Sequence, residues 1–275
     1  MTAKYQPTLM ENILGPFYKW WFIITYYFKL RTTYRVDNFL FALGNVITLV
    51  GTVLTWFVAS GAEFDVPFKN QLTYYIIGTF FYSFINMWPS YYGFIIKRGN
   101  HSSILLTPTG FFQYVYSQYL GMALFQNANV IFIILLTSPL WFTYIQPPSS
   151  LVSILLLIAL IPVAAVIMFM LEMLVALAAF FITEVNGLTL NYGFASSIFS
   201  GRLFPLGLLI PVFWVHLFNP FAYLFYHPMQ IYLGNYSNLE SLQVITVGAI
   251  SSLLLYFIGR QVFQFGLRKN ESVGL

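Results

Sequence analysis

LVSILLLIALIPVAAVIMFMLEMLVALAAFFI, residues 151–182, carries one charged side chain, Glu172. A bilayer's hydrocarbon layer is about 30 Å thick and takes about 20 helical residues to cross. The stretch therefore predicts a membrane-spanning helix with length left over for tilt or for projection beyond the lipid. Comparable apolar stretches predict further spans over residues 39–58, 72–96, 111–141, 188–200 and 242–265. The fold class that follows is an all-α membrane protein with six transmembrane helices.

Composition points the same way. Of 275 residues, 59% are hydrophobic and 20% aromatic, and 7% are charged, against about 25% charged in a soluble domain. A water-soluble fold of this length cannot hide that much apolar surface. Cysteine is absent, which excludes disulfides, thiolate metal sites and a cysteine nucleophile. The first 30 residues do not read as a cleavable signal, because Glu11, Gly15 and Pro16 interrupt them.

Two regions are expected. Residues 1–36 form a cytoplasmic N-terminus with an interfacial helix: FYKWWFIITYYF (17–28) is too short to cross, and Lys19, Lys29, Arg31 and Arg35 lie within or after it. Residues 37–275 form the six-span domain, which Asp37 and Asn38 open as helix-start residues. KRGNHSSILLTPTG (97–110) is a polar insert around an apolar turn. Between spans five and six, residues 201–234 are punctured by Gly201, Arg202, Pro205, Pro211, Pro220 and Pro228. That pattern predicts short re-entrant helices dipping into the outer leaflet, with single cysteines at Asn219, Tyr226 and Asn235 reachable from outside.

Orientation follows from the cations. Six spans with the N-terminus inside place Lys4, Lys19, Lys29, Arg31, Arg35, Lys97, Arg98, Arg260, Arg268 and Lys269 on the cytoplasmic side and leave Lys69 and Arg202 outside. Ten of the 12 basic residues thus lie inside. Both termini are cytoplasmic in a multi-pass plasma (inner) membrane protein.

Enzyme chemistry finds no support. There is no G-x-x-x-x-G-K-[ST] loop and no H-E-x-x-H pair, and His101, His216 and His227 lie in the insert and the broken outer region. Asp37 and Asp65 fall at opposite membrane faces. No metal site and no nucleic-acid partner are expected. Glu172, about 9 Å past the centre of its helix toward the cytoplasm, must be neutralised, hydrogen-bonded or set against a wet cavity. It is a candidate for the substrate path. Asn45, Thr48 and Thr52, in a small, weakly polar stripe with Gly44, Gly51 and Thr55, are further candidates, although small residues also let helices pack closely without a ligand. Gln113, Ser117, Gln118, Gln126, Asn127 and Asn129 make the third span polar on similar grounds. Arg202, near the outer headgroups, completes the candidate path, within reach of lipid phosphates, freed carbonyls or an anionic substrate group.

The interfacial helix, the insert, and the segment FSGRLFPLGLLIP followed by NPFAYLFYHPMQIYLG, in this order, resemble the permease subunits of type-2 exporter-family ATP-binding-cassette transporters, in their small six-span branch. The resemblance covers nearly the whole chain. It implies that Arg98, Gly99, Asn100, Ile104, Leu105 and Leu106 dock on an ATPase, with Lys29 and Arg31 as a secondary contact. It also implies a cytoplasmic ATPase dimer, a second permease subunit (a sister chain or an identical copy) and membrane lipid as partners. ATP and Mg are bound on the ATPase, with no cofactor on this chain. Such permeases export amphipathic drugs, lipids, peptides or glycans. The rival reading is a secondary transporter or channel working without a nucleotide-binding partner. Inverted repeats or several intramembrane charges would favour it, and Glu172 alone is seen.

Overall fold

The computed structural model describes residues 9–59, 66–99, 102–182 and 184–271. Among them the chain is helical without strands. Asn100 and His101 of the insert, Lys4 and Asp65 lie outside the described residues.

Helix α1 (Leu9–Thr32) is longer than the aromatic stretch that announced it. It packs lengthwise beside the first half of α6 (Phe111–Leu136), running in the same direction. Tyr18 and Trp21 lie by Thr107 and Tyr114, Ile24 meets Gly121, and Arg31 reaches Gln126. The approach is close because Gly121 has no side chain: a Cβ there would lie 2.4 Å from the Ile24 carbonyl oxygen. The aromatic stretch of α1 leaves Phe17, Tyr18, Trp20, Trp21 and Phe22 exposed. A tight elbow joins α1 to α2 (Arg35–Ala59), where the fully buried Asn38 donates to the carbonyls of Arg31 and Tyr34 at 2.9 and 2.7 Å. Asn38 thus clasps the elbow, and α2 begins earlier than expected.

The stretch expected to be one span over 72–96 is broken. Helix α3 (Val66–Ile85) stops at Asn86, Met87 and Trp88. One 3₁₀ turn, Pro89–Tyr91, then leads into α4 (Tyr92–Lys97). Pro89 removes a backbone donor and disfavours helical dihedrals at Trp88, which sits at φ −124°, ψ 56°. Gly99, at φ +72°, ends α4, and α5 (Ser102–Leu105) is a single turn. After α6 come the short α7 (Ser138–Trp141) and the Pro147–Pro148 turn, then α8 (Leu151–Leu177). Ser150 caps α8, its hydroxyl accepting from the Ser153 N–H at 3.1 Å.

Among the described residues, four helices are long and apolar enough to cross a bilayer: α2, α6, α8 and α12 (Asn238–Glu271). Helix α3 is not among them, having Lys69, Asn70 and Gln71 near its start. Nor is α9 (Asn186–Phe199), whose 14 residues extend about 21 Å. Helices α8 and α12 run in the same direction, since a Cβ added at Gly248, Gly259 or Gly266 would overlap Val163, Met170 or Phe180 in turn. Helix α3 runs antiparallel to α2, with Phe57 on Phe68 near one end and Phe41 on Trp88 at the other. Phe111 stacks on Phe263 at 4.0 Å, so the start of α6 and the end of α12 share one end of the bundle, next to α4. That end gathers Lys97, Arg98, Arg268 and Lys269.

At the opposite end, residues 201–234 contain α10 (Phe213–Leu217) and α11 (Tyr226–Tyr232), and their centre is no surface loop. Residues 222–229 are all buried, wedged among α3, α8 and α12, with the Phe225 ring seated on Gly78. Tyr226, at 6% exposure, is buried, which corrects the expectation that a cysteine there would be reached from outside. His227 is fully buried too. Its Nε2–H donates to the His216 carbonyl at 2.9 Å, and the Tyr236 hydroxyl donates to its Nδ1 at 3.1 Å.

Candidate functional site: a cavity at the break in α3

Midway along α6, a cavity of about 670 Å³ opens between the α3–α4 break, α6, the end of α8 and the start of α9, with Arg31 and Phe41 at its edge. Helix α6 contributes Gln118, Tyr119, Gln126 and Asn127; α9 contributes Thr189, Tyr192 and Gly193. Trp88 and Tyr91, both exposed, mark its mouth.

Glu172 forms part of the wall at 5% exposure. Its Oε2 accepts from the Ser90 N–H at 3.3 Å, and the Ser90 hydroxyl bonds the same carboxyl. The break makes this possible: an unbroken helix would consume the Ser90 N–H in its own ladder, whereas the start of a helical turn leaves it free for a side-chain acceptor. On the facing wall, Asn127 donates to the Asn86 carbonyl at 2.8 Å, another group released by the break. Arg31 donates through Nη2 to Gln126 Oε1 at 3.4 Å.

Most of the remaining polar capacity of this wall is unused. Among the described residues, eight buried side-chain polar atoms lack a hydrogen-bond partner, and five of them belong to cavity-lining residues: Arg31 Nε, Asn86 Oδ1, Gln118 Oε1, Gln126 Nε2 and the Tyr192 hydroxyl. Each such group costs about 1–3 kcal/mol when desolvated and unpaired. They concentrate in the packing around one cavity, although each atom itself is closed off from solvent.

A family model described as ABC-2 family transporter protein matches residues 24–274. The chain belongs to that family. It is thus an ATP-binding-cassette transporter permease, a membrane subunit of a transport system, and the family generally works with an ATP-binding-cassette ATPase. Comparison with curated proteins and with solved structures gave no match.

The candidate residues of the permease separate into three groups. Glu172 lines the cavity. Asn45, Thr48 and Thr52 do not: each bonds back to its own helix, to the carbonyls of Phe41, Gly44 and Thr48 at 2.9 Å. Gly44, Thr48, Gly51 and Thr55 are exposed, with nothing within 4 Å of a Cβ at either glycine. Arg202 is also outside the cavity; it donates to Ser197 Oγ at 2.7 Å and lies 5.0 Å over the Tyr82 ring, holding the end of α9 against α3 instead of reaching for headgroups.

In the insert, Arg98 and Gly99 are exposed, as is Lys29 on α1. Leu105 and Leu106 project at 45% and 88% exposure, while Ile104 is buried in the main core. Ile104 is therefore the anchor of the turn, not part of its protruding face. Thr107 tightens the turn by donating to the Ile104 carbonyl at 2.7 Å. Arg31, expected on the ATPase-docking surface, turns inward to the cavity. The polar run on the third span had signalled Gln118, Gln126 and Asn127. Asn86 and Tyr192 were missed, since only the break and the tilt of α9 bring them to the same space. Among the described residues no group of three or more His, Asp and Glu side chains gathers to hold a metal.

Proposed function

We propose that this permease is the membrane-spanning subunit of an ATP-binding-cassette exporter, moving an amphipathic substrate outward with energy from a separate ATPase dimer that binds ATP and Mg. The observation that carries the reading is the turn at Leu105 and Leu106. It is a compact apolar protrusion at the basic end of the bundle, pinned from below by buried Ile104, and a soluble partner's groove accepts such an anchor.

In this reading the chain crosses six times, α3 with α4 forming the second span and α9 the fifth. Both termini are cytoplasmic, and residues 201–234 are re-entrant from the outer side. The gathering of Lys97, Arg98, Arg268 and Lys269 at one end supports that orientation. The exposed aromatics of α1 meet lipid. The unfilled stripe of Gly44, Thr48, Gly51 and Thr55 faces the second permease, because small residues let two helices approach and the described residues leave that face open. The substrate class is amphipathic because the cavity joins polar side chains to the rings of Phe41, Trp88 and Tyr91.

Purification in mild detergent from native membranes tests the reading. An ATPase subunit should accompany the wild-type chain and be lost from Leu106→Asp while membrane insertion is unchanged. A chain that transports in vesicles without nucleotide, or an ATPase retained by Leu106→Asp, would favour the secondary-transporter reading or move the coupling surface elsewhere.

A further inference from the structure

The cavity holds one acidic and one basic side chain, brought by different helices. The Glu172 carboxylate arrives from α8 and meets Ser90. The Arg31 guanidinium arrives from the end of α1, shares one N–H with Gln126 and keeps its Nε–H without an acceptor. Asn86 Oδ1 and Gln126 Nε2, on two further lining residues only 8% exposed, have no partner. One is an acceptor and the other a donor. The apolar lining runs through the cavity as well as round its mouth: Met87, Ile95, Met122 and Ala123 join Phe41, Trp88 and Tyr91.

We propose that this cavity binds an amphiphile whose headgroup carries an ammonium and an anionic group, the ammonium set toward Glu172, the anionic group toward Arg31 and the hydrocarbon tail toward Trp88 and Tyr91. The proposal rests on the transport reading above and names its substrate class as zwitterionic.

Charge logic separates it from the alternatives. A zwitterion sets an ammonium on the acid and an anionic group on the guanidinium, and it adds no net charge to a poorly solvated space; a singly charged headgroup meets one of the two partners only. A guanidinium offers a fork of donors that fits a phosphate or carboxylate. An ammonium offers donors to the Glu172 carboxyl. Aromatic faces at the mouth suit both the tail and the rim of an ammonium group.

Equilibrium binding to the purified full-length chain in a non-ionic detergent tests this with three single-chain probes: lysophosphatidylethanolamine, hexadecylamine and hexadecyl phosphate. The wild-type chain should bind the zwitterion at least tenfold more tightly than either singly charged probe. Arg31→Gln should reverse that order in favour of hexadecylamine, Glu172→Gln in favour of hexadecyl phosphate, and Arg31→Lys should keep the wild-type order. A wild-type chain that binds a singly charged probe as tightly as the zwitterion overturns the proposal without any variant, as does an unchanged order in both charge-removing variants. Because no ATPase or nucleotide is present, tight and charge-reversible binding by a chain that recruits no ATPase would sustain the site and sink the transport reading. The converse pair of results would do the opposite.

Discussion

Gly121 on α6 and Gly51 on α2 are both mid-helix glycines, yet replacing each by alanine should move stability in opposite directions. In an open helical position, alanine is favoured over glycine by about 0.5–1 kcal/mol. Gly51 is such a position, with nothing within 4 Å of an added Cβ. At Gly121 the Cβ would lie 2.4 Å from the Ile24 carbonyl oxygen, where ordinary contact begins at 3.4 Å. The obstacle is backbone, so no rotamer change relieves it, and α1 must withdraw by about 1 Å. A gap of 0.5–1 Å forfeits a quarter to a half of each dispersion contact along the seam, and overpacking costs about 1–3 kcal/mol. Set against the propensity gain, Gly121→Ala should lose about 1–2 kcal/mol while Gly51→Ala gains up to about 1. The two variants should then unfold several degrees apart, at about 2–4 °C per kcal/mol. Intrinsic fluorescence of the isolated chain in detergent, at one heating rate, reads this directly. A bifunctional thiol reagent bridging Phe28→Cys and Phe125→Cys, whose native rings are 5.6 Å apart, reports the withdrawal itself. Equal melting of the two glycine variants, with cross-linking undiminished in Gly121→Ala, would refute the α1–α6 contact.

Three other outcomes are expected. Gly51→Leu should leave the isolated chain folded but prevent two permeases from pairing, seen as loss of the larger species in native mass spectrometry; intact pairing would place the interface away from α2. In this cysteine-free chain, single cysteines at Phe218 and Asn235, both exposed, should react with an impermeant thiol reagent, whereas one at buried Tyr226 should stay unlabelled until denatured, and brisk labelling at Tyr226 would contradict the wedge. Burial lowers the pKa of His227 to about 3, so between the unfolded value near 6.5 and about 3 the opened segment binds a proton that the closed one refuses; stability of the segment is level above about pH 6.5 and falls by about 1.4 kcal/mol per unit below it. Hydrogen exchange of residues 216–229 should accelerate from pH 7 to pH 4.5 beyond the intrinsic rate, and an unchanged corrected rate would show that His227 is not the acid-sensitive group.

The sequence made the long helices plain because lipid imposes one demand, continuous apolarity, that needs no knowledge of neighbours; residues 151–182 satisfy it alone. Interruptions were harder to read. Four prolines, Gly201 and Arg202 in residues 201–234 announced a break, whereas Pro89 stood alone in an otherwise apolar run and its break was smoothed over. The positions of α1 and Arg31 were not legible at all. They follow from the absence of a side chain at Gly121, nearly a hundred residues away, and a count of cations by side of the membrane treats every arginine as facing water. Glu172 was legible because a lone carboxylate in hydrocarbon demands an explanation, yet its partner Ser90 became available only through the unforeseen break.

That break also lets one crossing be fastened twice. Upstream of it, α3 is fixed by the Phe225 wedge at Gly78; downstream, α4 is seated on α8, with Tyr92 and Ile96 buried. A helix without interruption would keep its backbone groups in its own ladder. Here the two ends of the break are gripped by different neighbours: Asn127 of α6 holds the Asn86 carbonyl on the α3 side, and Glu172 of α8 holds the Ser90 N–H on the α4 side. The two halves of the crossing are therefore tied to separate helices, and the cavity lies between the two ties.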